Sequence, residues 1–67
     1  MGRIMGTVRF FDAKKGYGVI DGADNKKYLF FYNDILRKNK YCKAKEKVIF
    51  TTTKDAHGTR AVGVHIV

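Results

Sequence analysis

The chain has 67 residues, with 14 Lys or Arg against 6 Asp or Glu, for a formal charge of +8. One cysteine and no serine exclude an intrachain disulfide, a paired-cysteine zinc site and a serine nucleophile. No apolar run approaches the roughly 18 residues of a membrane span, and the N-terminus carries no signal-peptide core, so one soluble cytoplasmic domain over residues 1–67 is expected. A positive field on so small a body favours polyanionic partners, although a basic surface kept for solubility would have the same composition.

Residues 4–11 are apolar and β-branched around Thr7 and Arg9 and are expected to form a first strand. Asp12 to Gly16 read as a polar turn, and residues 17–21 as a second strand. Gly22 to Asn25 supply the small and Asx residues that hairpins favour. A third strand, 27–32, is densely aromatic. Residues 33–46 break the pattern: Asn33 or Asp34 can cap one helical turn, and the basic loop that follows has only Ile35, Leu36, Tyr41 and Cys42 as apolar anchors. Residues 47–53 are β-branched almost throughout, and Lys54 to Gly58 make a turn. Residues 60–67 alternate, which puts Val62, Val64 and Ile66 on one side. The pattern is all-β. Five short strands at hairpin spacing predict an antiparallel sheet that must close or be covered. A five-stranded OB-fold-type barrel and an SH3-like barrel both satisfy that requirement.

Basic and aromatic residues interleave over residues 9–32. Alternate strand residues share a face, so Tyr28 and Phe30 face one side and Leu29 and Phe31 the other. A barrel has one interior, and one apolar pair must face out. Tyr28 and Phe30 are expected in the core; Tyr17, Val19, Leu29 and Phe31 form an outer platform with Arg9, Lys15 and Lys27 near its rim. Unpaired bases suit such a platform, because every base has a π-face and cations track the phosphates. Gly16 and Gly18, on either side of Tyr17, either admit a nucleic-acid backbone or relieve crowding at a strand entry.

The segment Gly6-Thr-Val-Arg-Phe-Phe-Asp-Ala-Lys-Lys-Gly-Tyr-Gly-Val-Ile20 resembles the opening of bacterial cold-shock domains. Within it, Lys15 to Ile20 are similar to that family's first ribonucleoprotein motif, and Leu29 to Tyr32 to its second. Weaker likenesses follow at Val48 to Phe50 and at Gly58 to Val64. The resemblance implies an OB-fold barrel whose outer face on strands one to three stacks bases of single-stranded RNA or DNA. It assigns the stacking to Phe10, Tyr17, Val19, Leu29, Phe31 and Tyr32, with Phe11 at the platform's edge and Arg9 and Lys15 at basic positions. Lys27, where the family commonly has an acid, and Arg60 complete the expected contacts. Phe10 stands for a tryptophan, Val19 and Leu29 for phenylalanines, and Phe31 for a histidine. This exchange implies a shift from stacking toward electrostatics.

Catalytic chemistry, a metal site and a cofactor are not expected. Cys42 lies far along the chain from His57 and His65 and is expected to be a small apolar residue under the loop. His57 is expected in a turn, solvated or near phosphate, and His65 exposed on the last strand. Two functions remain: a monomeric, ATP-independent nucleic-acid chaperone or gene-expression regulator with no small-molecule substrate, or a protein-interaction barrel that has lost most base stacking.

Overall fold

Turn chemistry divides the chain into five strands. The computed structural model describes residues 2–56 and 58–67, so the expectation for His57 lies outside the described residues. The strands are β1 (Ile4–Asp12), β2 (Tyr17–Gly22), β3 (Lys27–Phe31), β4 (Lys47–Asp55) and β5 (Gly58–Ile66), with a 3-10 turn at Tyr32–Asp34 between β3 and β4. Asp12 starts the first turn by accepting hydrogen bonds from the Lys14 and Lys15 amides at 3.0 and 3.1 Å. The Asp24 carboxylate takes the Lys26 amide at 3.1 Å and the Tyr28 hydroxyl. That hydroxyl holds the Asp24 carboxyl below its usual range and raises its own pKa in return.

The strands close into a barrel in the order β1-β2-β3-β5-β4, the OB-fold-type architecture expected. One junction corrects the antiparallel reading: β3 and β5 run parallel, with Leu29 opposite Arg60. The reason is parity. A closed ring of five strands cannot alternate direction at every junction. Short parallel contact is extended by the Ile35–Val64 bridge and by the Leu36 amide, which donates to the Val64 carbonyl at 2.8 Å.

The core is Val8, Ile20, Tyr28, Phe30, Ile35, Cys42, Val48, Phe50, Ala61 and Val64. Phe30 is fully buried and lies parallel to Phe11 at 5.7 Å, while Tyr28 meets Phe50 edge to face at 5.1 Å. Phe11 therefore leans onto the core and only borders the platform at whose edge the resemblance set it. On β5 the expected alternation fails. Thr51 pairs with Val62 and Ile49 with His65, so Gly63 and Val64 together oppose Phe50. This bulge, with Gly63 in the left-handed region at φ +59°, shifts the inward phase, and Ala61 and Val64 are buried while Val62 is only half-buried.

The helical turn begins one residue earlier than the caps considered above, and Asp34 is its third residue, reaching back to accept the Phe31 amide at 2.9 Å. The loop is tied to β1 by Lys45 donating to the Val8 carbonyl at 2.7 Å and by Val8 donating to Glu46 at 2.9 Å. Of its apolar anchors, Ile35 and Cys42 are buried, and Leu36 and Tyr41 are exposed.

Gly18 is a close-approach position. A Cβ there would run into the Phe10 carbonyl oxygen and the Phe30 ring, so this glycine relieves crowding and does not open the surface. Gly18→Ala should cost about 1–3 kcal/mol, the usual range for overpacking, read as a lowered urea midpoint. Burial pushes the Cys42 thiol up to about 11, Glu46 adds to the rise, and Arg37 opposes it. The unfolded thiol ionises near its ordinary value of about 8.5, so between there and about 11 the folded chain keeps a proton the unfolded chain has lost. Stability should fall as pH rises through that window. Urea midpoints of the wild type and of Cys42→Ala, followed across it, should show a shallower alkaline decline in the variant.

Candidate functional site

β1, β2 and β3 present one continuous outward surface, and two local features of the sequence set its phase. In β3 the burial alternates strictly, with Tyr28 and Phe30 inward and Lys27, Leu29 and Phe31 outward. In β1 the register shifts between Val8 and Phe10: Val8 pairs with Ile20 and Phe10 with Val19, which makes Arg9 the extra residue of a bulge. Val8 is buried, and both Arg9 and Phe10 then face out as neighbours, an arrangement that strict alternation forbids.

Across the three strands the registers build rows. Phe10, Val19 and Leu29 form the middle row, and Tyr17 and Phe31 form the next. Phe10, Leu29 and Phe31 are each about 40% exposed and Tyr32 is 48% exposed, large values for side chains of this type that leave their faces open to a ligand. Tyr17 and Val19 are half-buried, Tyr17 edge-on against Phe10 at 6.0 Å. At one end stand Lys27 and Asp21, which are paired in register, with Arg9 bonded to Asp21 at 3.2 Å. At the other end, Lys15 and Tyr32 border a recess of about 470 Å³, to which the loop contributes Lys40 and Tyr41. Tyr41 also meets Phe11 edge to face at 5.7 Å. Beyond Leu29 and Phe31 lies a second recess, of about 370 Å³, walled by Asp55, Gly58, Thr59 and Arg60.

The ten expected site residues thus come together on one side of the barrel, but their charges differ in kind. All six carboxylates are engaged: Asp12 and Asp24 in turns, Asp21 by Arg9, Glu46 by Arg37 at 3.1 Å, and Asp34 and Asp55 by Arg60 at 3.4 and 3.2 Å. Among the described residues every ion pair is made by an arginine and none by the ten lysines. Arg9 and Arg60, expected as cations, are already paired. Lys15 and Lys27 are exposed and carry the platform's unpaired positive charge. Composition alone missed Lys14 and Asn39, which the 13–16 turn and the loop bring to the Tyr32 recess beside Lys40. Loop positions carry no periodicity from which this could be read. The hold of Asp34 on Arg60 was missed as well, although an aspartate three residues after Phe31 is a turn signal. Flat apolar faces bordered by mobile ammonium groups can stack planar rings while binding the anions that link them.

Residues 4–67 match the family model described as the 'Cold-shock' DNA-binding domain. The fold is similar to that of a solved structure of Drosophila Unr CSD456, with a TM-score of 0.83 at 16% identity. That alignment covers 98% of this chain and 27% of the other, so the chain spans about a quarter of the protein it resembles. No curated protein matches the chain.

Asp34 is nine-tenths buried, accepts the Phe31 amide and is ion-paired with Arg60 Nε. Asp34→Ala should destabilise the fold by about 1–3 kcal/mol, the cost of leaving a buried donor without its acceptor. A thermal or urea midpoint unchanged from wild type would contradict this assignment.

Proposed function

The chain belongs to the cold-shock DNA-binding domain family, a nucleic-acid-binding family, and from that premise we propose that it binds single-stranded RNA or DNA on the outer face of β1, β2 and β3. Bases stack on Phe10, Tyr17, Phe31 and Tyr32, with Val19 and Leu29 as the apolar floor between them. Lysines, above all Lys15 and Lys27, bind the phosphates. The observation that carries this reading is the pairing of two outward rows of apolar side chains with lysines that make no ion pair among the described residues.

The physical roles follow from the side chains. An aromatic face gives about 1–3 kcal/mol per stacked base with little preference among bases. Valine and leucine bury apolar area against a base without a ring's quadrupole, so the two middle positions hold a base less firmly than a phenylalanine would. Unpaired ammonium groups release counterions from each phosphate they meet. Binding of this kind is sequence-tolerant and salt-sensitive. It holds transient single strands open without ATP, which is the action of a cytoplasmic RNA chaperone or a regulator of gene expression, working as a monomer.

Titration of oligo-dT or oligo-U, followed by quenching of tyrosine fluorescence across a salt series, tests the reading. The log–log slope should lie between about −3 and −5, which is about 4–7 phosphate contacts at about 0.7 each on single strands. Tyr17→Ala should weaken binding by about 1–3 kcal/mol. Absence of quenching, or a flat salt response, would leave the barrel as a protein-interaction module.

A further inference from the structure

We propose that Arg60 contacts a base and not a phosphate, donating from Nη2 to a base carbonyl, and that it thereby disfavours adenine at the position beside Phe31. The inference rests on the single-strand-binding reading above and assigns one residue of that surface a role in specificity.

The local charge argues against phosphate. Arg60 Nε lies 3.4 Å from Asp34 Oδ2, and Nη1 lies 3.2 Å from Asp55 Oδ2. A guanidinium already ion-paired with two carboxylates has little positive charge left to attract a phosphate. The same clamp fixes the guanidinium in place. Nε is buried beside Asp34, ion-paired with it but without a hydrogen bond, and Nη1 donates to Asp55. Nη2 makes no hydrogen bond among the described residues, so its two donors remain for a ligand.

The position argues for a base edge. The guanidinium carbon stands over the Phe31 ring, 5.8 Å from its centroid, and so does not lie in stacking contact with the ring's centre. Phe31 remains 41% exposed, and the recess it shares with Leu29, Gly58 and Thr59 is large enough for a base. A base stacked on the open part of that ring would lie beside the guanidinium in roughly the same plane, with its edge toward Nη2. Uracil, thymine, cytosine and guanine each offer a carbonyl oxygen. Adenine has none, and its N1 and N7 are each flanked by an exocyclic amino group, a donor that would face a donor.

The test uses uridine heptamers carrying one adenosine at each position in turn, titrated against the full chain by tyrosine quenching. For the wild type, adenosine at one position should weaken binding by about fivefold, the scale of one net hydrogen bond. In Arg60→Met the uridine heptamer should bind about fivefold more weakly, the adenosine penalty should vanish, and the salt slope should be unchanged. Arg60→Lys, which keeps a cation for Asp34 and so protects the fold, should also reduce the penalty, because it lacks the planar fork. An adenosine scan with no sensitive position overturns the proposal, as does a penalty that survives in both variants. A salt slope that loses about 0.7 in Arg60→Met overturns it too, since that marks a phosphate contact. Failure of the wild type to bind the uridine heptamer at all would overturn the single-strand reading itself.

Discussion

Phe30 lies against Gly18 in the centre of the barrel, and nothing larger than hydrogen fits between that backbone and the ring. The contact sets the phase of two strands at once. With Gly18 and Ile20 inward on β2 and Tyr28 and Phe30 inward on β3, the residues between them have no choice but to face out. Phe11 stacks on the Phe30 ring. The outer platform is therefore a by-product of core packing: four apolar side chains are displayed because four neighbours fill the interior. A slip of one residue in either strand would bury Phe31 or Tyr17 and expose the core, so core stability and the integrity of the surface are linked through the same pair.

Arginine and lysine divide the electrostatic work. The guanidinium's planar fork suits fixed carboxylate partners, and among the described residues all four ion pairs use it: one by Arg9, one by Arg37 and two by Arg60. Lysine keeps a hydrated point charge on a flexible stem, and among the described residues the ten lysines stay out of such pairs. Because the six acids are engaged in turns and arginine pairs, the formal charge of +8 is displayed largely as lysine. Arg9, Arg37 and Arg60 are thus held by carboxylates, while Lys15 and Lys27 at the platform make no ion pair among the described residues.

Membership of the cold-shock family makes the substitutions on the platform informative. Val19 and Leu29 lie side by side in the middle row, flanked by Phe10 on one strand and by Arg60 on another. Aliphatic residues there keep the surface flat and apolar while removing two rings from its centre, and Phe31 retains stacking area at a position where the resemblance implies a histidine's hydrogen-bonding edge. Arg60, standing over Phe31, brings donors back to that same neighbourhood. A surface poorer in rings in this way keeps hydrogen-bond donors beside Phe31.

The amino-acid sequence by itself determined the elements and most of the core. Alternation separates Tyr28 and Phe30 from Leu29 and Phe31 because the strand period is two, and turn residues mark the breaks because few others tolerate those backbone angles. Five strands in a closed ring also require one parallel junction, although only the tertiary structure decided that it joins β3 to β5. The bulges at Arg9 and Gly63 were not legible, because a bulge is a relation between two strands and leaves no local pattern in one. The bulge at Arg9 turned Phe10 outward beside it, and the bulge at Gly63 put Ala61 where alternation would have put Val62. The pairing of Arg60 with Asp34 and Asp55 joins residues from three parts of the chain. Composition counts such an arginine as a free charge; only folding brings its carboxylates within reach, since Coulomb attraction acts on distance in space and not on separation along the chain.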